Sequence, residues 1–222
     1  MNIFDIIGPI MIGPSSSHTA GAVRLGGVAN KVLEGAEPAE VNIELAGSFA
    51  KTYKGHGTDR ALLAGIMGYH SDSEEIRNIF ALATAKNIKY KFLPTTIPGA
   101  HPNTARIHVL AKNGTECTVQ GASIGGGNIQ IDYINGLSVN FTGSCNTILV
   151  LHKDRPGAIA DVTNLMRIKY GHVNIGNFNL TRPVKGGDAL MTIEIDGLPP
   201  QGMTDDLRRI ENVSNVMLIQ AI

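Results

Sequence analysis

Thr147-Ile148-Leu149-Val150-Leu151-His152-Lys153-Asp154-Arg155-Pro156-Gly157-Ala158-Ile159 is the stretch that decides the fold. Its first half is an apolar run rich in branched side chains, which reads as a strand through His152. Pro156-Gly157 then opens an amphipathic helix that runs to about Lys169. Downstream, Val173 to Thr181 and Ala189 to Ile195 read as strands joined by a Lys185-Gly186-Gly187-Asp188 turn. Met203 to Ile210 reads as a helix, and Val213 to Gln220 closes as a strand. The order over residues 147–222 is βαββαβ, the ferredoxin-like split unit.

Upstream the rhythm differs, and it restarts near Thr142-Gly143-Ser144, so residues 1–143 are expected to form their own domain. Helical spacing of Ala20, Val23, Leu25, Val28, Val32 and Leu33 predicts a helix stopped by Gly35 and Pro38. Val41 to Ser48 alternates with period two, as a half-buried strand does. Thr58-Asp59 opens a helix to Met67, and Ser73 with Glu74 and Glu75 predicts a capped helix to about Ala85. Strands follow at 88–93, 104–112, 116–123 and 130–134, with Asn113-Gly114 and Asn135-Gly136 as hairpin turns. The fold class is therefore α+β in both domains.

Composition narrows the function classes. In 222 residues, 43% are hydrophobic and 17% charged, enough apolar material for a folded core. Nineteen basic and nineteen acidic residues cancel and aromatics are 5%, which removes the usual footprint of a nucleic-acid binder. No apolar stretch approaches a membrane span, and the opening residues lack a basic n-region, so a cytoplasmic protein is expected. Two cysteines, Cys117 and Cys145, are too few for a four-thiolate iron–sulfur site, and no metal ligands are expected on this chain.

Four loops of the first domain carry candidate chemistry. Ser15, Ser16, Ser17, His18 and Thr19 place hydroxyls and an imidazole before a helix, where free N–H groups attract a carboxylate or phosphate. Simple helix capping by one serine explains the run as well. Gly55-His56-Gly57-Thr58-Asp59 repeats the device, and two His-bearing helix starts tip the balance to a shared polar site. His101-Pro102-Asn103-Thr104 precedes a strand. Ser123-Ile124-Gly125-Gly126-Gly127 is either an anion-binding nest or a wide hairpin. In the second domain Asp154, Pro156 and Gly157, with Asn174 and Ile175 on the neighbouring strand, are expected to clasp a small amino acid; a tight turn with Pro at the first helical position accounts for Pro156 and Gly157 equally well.

At these motifs the chain resembles a known family. The opening Phe4-to-Ala22 stretch, the Gly-His-Gly-Thr-Asp at 55–59, the His-Pro-Asn-Thr at 101–104 and the Ser-Ile-Gly-Gly-Gly at 123–127 look like the beta chain of bacterial iron–sulfur L-serine dehydratases. Residues 1 to about 143 resemble the allosteric-substrate-binding domain, also found in some phosphoglycerate dehydrogenases, and the remainder resembles an ACT regulatory domain. The resemblance implies conversion of L-serine to pyruvate and ammonia without pyridoxal phosphate. A four-iron four-sulfur cluster on a separate alpha subunit would bind the substrate hydroxyl as Lewis acid. It also implies catalytic roles for His56, as base, and His18. Ser15, Ser16, Ser17, Thr19, Gly57, Thr58, Asn103 and Ser123 would bind substrate. The alpha domain is missing from this sequence, so activity is expected only with that partner. Self-association through ACT domains is expected, with L-serine or another small amino acid at their interface. The competing expectation is a free-standing amino-acid sensor without a catalytic role. A dehydrogenase-type regulator is a weaker one, because no GxGxxG fingerprint follows a strand.

Overall fold

The computed structural model describes residues 9–221, so the expectation that the first eight residues are no secretory leader lies outside them. The chain divides into two compact units, the first ending at Gly136 and the second starting at Leu137.

In the first unit a π-type turn, Ser16–Ala20, leads into α1 (Gly21–Val32). Next come β1 (Pro38–Leu45), α2 (Gly47–His56) and α3 (Thr58–Ile66). A 3₁₀ turn (Glu74–Asn78) leads into α4 (Ile79–Ala85), which β2 (Lys89–Pro94) follows. Then β3 (Thr104–Ala111), β4 (Glu116–Gly125) and β5 (Asn128–Ile134) follow as antiparallel neighbours. The strand order is β2-β1-β3-β4-β5, with only β1 and β2 parallel. The α2–α4 segment is the crossover that a parallel pair requires.

β1 shows why the sheet has one dry face. Val41, Ile43 and Leu45 are fully buried, while Asn42 and Glu44 point outward, where Glu44 pairs with Arg106 at 2.9 Å. On the dry side Leu25, Val28 and Ala29 of α1 and Leu62, Leu63 and Ile66 of α3 fill the core. α1 and α3 meet backbone to backbone. A Cβ on Gly65 would lie 2.0 Å from the Val23 carbonyl oxygen, and one on Gly26 would lie 2.2 Å from that of Leu62.

The second unit begins with β6 (Leu137–Phe141). It continues with β7 (Asn146–Lys153), α5 (Ala158–Lys169), β8 (Ile175–Thr181), β9 (Asp188–Ile195), α6 (Met203–Arg208) and β10 (Val213–Ile219). The sheet order β10-β7-β9-β8, antiparallel throughout, is the split βαββαβ arrangement. Val162 and Met166 of α5 and Met203 and Leu207 of α6 pack with Ile148, Val150, Met191 and Ile193. Asp206 ties the two helices, accepting from Tyr170 Oη at 2.6 Å and Lys169 Nζ at 3.0 Å.

Several expectations change. β1 ends at Leu45 rather than Ser48, because Gly47 turns with φ of 55° and α2 begins there, a helix the sequence reading missed. Ser73 does not cap a helix; its hydroxyl accepts the His70 N–H instead, and the acidic pair opens a 3₁₀ turn. The glycine triplet closes the β4–β5 hairpin, with all three residues at positive φ, a conformation in which side chains are strained.

A single methyl group tests the helix contact. Gly65→Ala is expected to destabilise by about 1–3 kcal/mol, since neither backbone can give way. Gly55→Ala, in α2 with open space around it, is expected to be neutral or stabilising by about 0.5–1 kcal/mol. Urea denaturation of both variants checks the contrast.

Candidate active site

Capping fixes the first histidine. Ser15 Oγ accepts the His18 N–H at 3.3 Å and lies 3.4 Å from ring Nδ1. Both expected roles of the serine run thus meet at one residue, because the cap also orients the imidazole. On the other side of the ring, Nε2 lies 3.2 Å from Thr52 Oγ1 and 3.4 Å from Ser48 Oγ. Thr52 spends its one hydroxyl hydrogen on the Ser48 carbonyl at 2.8 Å, so toward His18 it accepts. That assigns the ring proton to Nε2 and leaves Nδ1 to accept from Ser15.

The second histidine ends α2, a correction to the expected helix start. Gly57, at φ of 71°, is both the left-handed cap of α2 and the residue before α3. His56 is exposed, and its ring meets that of His18 edge-on, with centroids 4.7 Å apart at 88°. Phe49 covers His18 from another side at 5.2 Å. Burial first, and the charge of His56 second, hold the His18 imidazole below its ordinary 6.5. His18 is thus held toward its neutral form beside an exposed imidazole.

The remaining loops brace the elements that carry this pair, and neither Asn103 nor Ser123 lines the cleft. The Pro102 carbonyl accepts the N–H groups of Ser48 and Phe49 at 2.7 and 3.3 Å, so it caps α2 where no side chain does. Asn103 exchanges bonds with Ser123, accepting the Ser123 N–H at 3.1 Å and donating Nδ2 to its carbonyl at 3.4 Å. Ser123 packs under α1, where a Cβ on Gly21 would lie 2.1 Å from its hydroxyl. Buried oxygens of Thr19, Thr58, Asn103, Thr104 and Ser123 lack a hydrogen-bond partner. Ser16 and Ser17 share the π-type turn with His18 and are half-buried. A cleft of about 390 Å³ opens at His56, with Gly13, Pro14, Thr19 and Gly57 on its wall.

Sequence reasoning missed Ser48 and Thr52, whose four-residue spacing on α2 aims both hydroxyls at His18. The signal becomes visible only once α2 is known to be helical.

In the second unit the expected clasp does not form within one chain. Asp154 follows β7, where Lys153 pairs with Asp188, whereas Asn174 precedes β8, where Ile175 pairs with Ile195. The two groups stand at opposite ends of the sheet, roughly 20 Å apart for seven residues of strand. Each is engaged locally. Asp154 Oδ2 accepts from Gly186 N–H at 2.9 Å and Arg182 at 2.6 Å, which hold its carboxyl below the usual range, and Asn174 donates to Asp196 at 2.9 Å. Pro156 and exposed Gly157, at φ of 91°, form the turn into α5.

Among the described residues no three His, Cys, Asp or Glu side chains are grouped to hold a metal ion. Cys117 lies in the core with its thiol pushed up to about 12 by burial, and Cys145 is exposed. The described residues do not fit a four-iron cluster. No helix among them is long and apolar enough to cross a membrane.

Fold and site define an α+β protein with two imidazoles packed edge-on beside a cleft. The family described as "Serine dehydratase beta chain" matches residues 2–133. Over 218 residues the chain is 42% identical to the "Probable L-serine dehydratase, beta chain" of Bacillus subtilis, covering 98% of this chain and 97% of that protein. With the "L-serine dehydratase, beta chain" of Peptoniphilus asaccharolyticus the identity is 36%, at the same coverage of both chains. "L-serine dehydratase 2" of Escherichia coli is 36% identical over 85 residues, 36% of this chain and 18% of that protein. The chain belongs to the serine dehydratase beta chain family.

The histidine pair makes a signed prediction. Because the folded pKa of His18 is lowered, the unfolded chain binds its proton first, and stability is lost as pH falls below about 6.5. Asp59, its carboxyl raised by burial, contributes the opposite slope just above 3.8. His18→Gln is therefore expected to lose less stability than the wild type between about pH 7.5 and about pH 5.5. Urea midpoints at the two pH values measure it, and an equal loss in both proteins would remove His18 as the cause.

Proposed function

We propose that this chain is the cluster-free subunit of an L-serine dehydratase and supplies the proton-transfer groups of the reaction. The observation that carries the reading is the edge-on pair in which His18, buried and neutral, backs an exposed His56 at the mouth of a cleft. Elimination removes the α proton and the β hydroxyl of L-serine as water; the resulting enamine tautomerises and is hydrolysed to pyruvate and ammonia. His56 takes the α proton, and His18, being neutral, places no second charge against the imidazolium that forms. Ser15, Ser48 and Thr52 hold His18 in the tautomer that allows this. Thr58, Thr19 and Asn103 offer unpartnered buried oxygens around the site. A separate cytoplasmic alpha subunit carries the four-iron four-sulfur cluster, for which this chain's described residues offer no ligand set.

The second unit is read as an ACT regulatory domain on its strand order. Asp154, Pro156 and Gly157 of one copy would meet Asn174 and Ile175 of another, since the two groups sit at opposite ends of one sheet.

The test is anaerobic reconstitution with the cysteine-rich partner chain, following pyruvate from L-serine. Turnover is expected to need both chains and to fall by about 10²–10⁴-fold in His56→Ala. Full activity from the partner alone would reduce this chain to a sensor.

A further inference from the structure

Lys54, Arg60 and Arg77 line the His56 cleft, and none of its described lining residues is acidic. Three cations around one opening repel one another unless an anion joins them. Among the described residues they are neutralised only in part, Asp59 being close enough to feel the charges of Arg60 and Lys54. Arg60 rests over the Phe80 ring at 5.9 Å and Lys54 over Tyr53 at 5.8 Å, contacts that hold a cation in place without cancelling its charge. Arg77 pairs with Glu74 at 3.2 Å, but both side chains are mostly exposed, and such pairs are weak. The nearest buried carboxylate, Asp59, is 9% exposed, accepts the Arg60 N–H at 2.8 Å and is not part of the cleft wall. Thr19, on the wall, is 2% exposed and its Oγ1 is enclosed.

We propose that Lys54, Arg60 and Arg77 form the receptor for the carboxylate of the small acid that reacts at His56. The proposal rests on the reading of His56 as the base and adds to it the group that sets substrate orientation. A guanidinium presents two parallel donors to a carboxylate, which fixes a direction as well as a charge. The α carbon next to that carboxylate then faces the imidazole. Substrates and products bearing a carboxylate are selected over alcohols and amines without one.

The test uses the reconstituted two-chain enzyme with Arg60→Gln, Lys54→Gln and the charge-keeping Arg60→Lys. The KM for L-serine is expected to rise by roughly tenfold or more in each Gln variant, with kcat changed by less than about threefold. Inhibition by pyruvate, which keeps the carboxylate, should weaken in parallel, and Arg60→Lys should recover part of the loss. Unchanged KM and pyruvate inhibition in both Gln variants would overturn the proposal. So would a loss of subunit association on gel filtration, which would make the cations a docking patch for acidic residues of the partner. If the wild-type pair makes no pyruvate, the dehydratase reading fails by itself. The carboxylate site is then judged on this chain alone, by whether pyruvate shifts the His56 ring resonances in wild type and not in Arg60→Gln.

Discussion

The close approach of α1 and α3 sets the position of everything that follows. Gly26 and Gly65 leave no atom between the two helix backbones, so the pair is fixed in register as well as in distance. A histidine stands just ahead of each helix: His18 in the turn before α1, and His56 as the last residue of α2, separated from α3 by Gly57. The Ser16–Ala20 turn touches α3 and α2 directly. A larger residue at either glycine would part the helices and with them the two imidazoles, whose 4.7 Å separation is what couples their charges. A packing contact of the core thereby becomes a parameter of the site.

The same economy explains the unpartnered hydroxyls. A buried oxygen without a partner costs about 1–3 kcal/mol, so a cluster of them calls for a cause. For Ser123 and Thr19 the cause is visible, since Gly21 and Gly13 press against them where any side chain would collide. Ser123 is sealed beneath α1 and serves through its backbone, which locks the Asn103 loop. Thr19 differs because the residue also lines the cleft, although its oxygen is enclosed by the protein.

Much of the fold was legible because its signals are local. The βαββαβ unit followed from alternation, a Pro-Gly helix entry and a glycine turn, each readable within a few residues. The helix α2 was not legible for the opposite reason. Its entry is capped by the carbonyl of Pro102, far away in sequence, and only Phe49 of its ten residues is buried, so no apolar stripe marks it. Missing α2 hid Ser48 and Thr52, and it put His56 at the wrong end of a helix. The motif residues were found by composition, whereas their partners were chosen by tertiary contacts. Asp154 and Asn174 are neighbours in a motif scheme, whereas strand direction separates them by the length of a sheet within one chain.

Charge placement in the site argues for a shared reaction rather than a complete one. A lone base beside a neutral, hydrogen-bonded imidazole can take a proton from carbon. Among the described residues no acidic side chain lines the cleft, and the Cys117 thiol, pushed up to about 12 by burial, keeps its proton. The cations of the cleft would resist an incoming positive charge and welcome a carboxylate. On the proposed reading the acid for the leaving group comes from the partner subunit, at the open face where His56 is exposed. The buried, hydrogen-bonded His18 would then hold the exposed imidazole in place for that encounter.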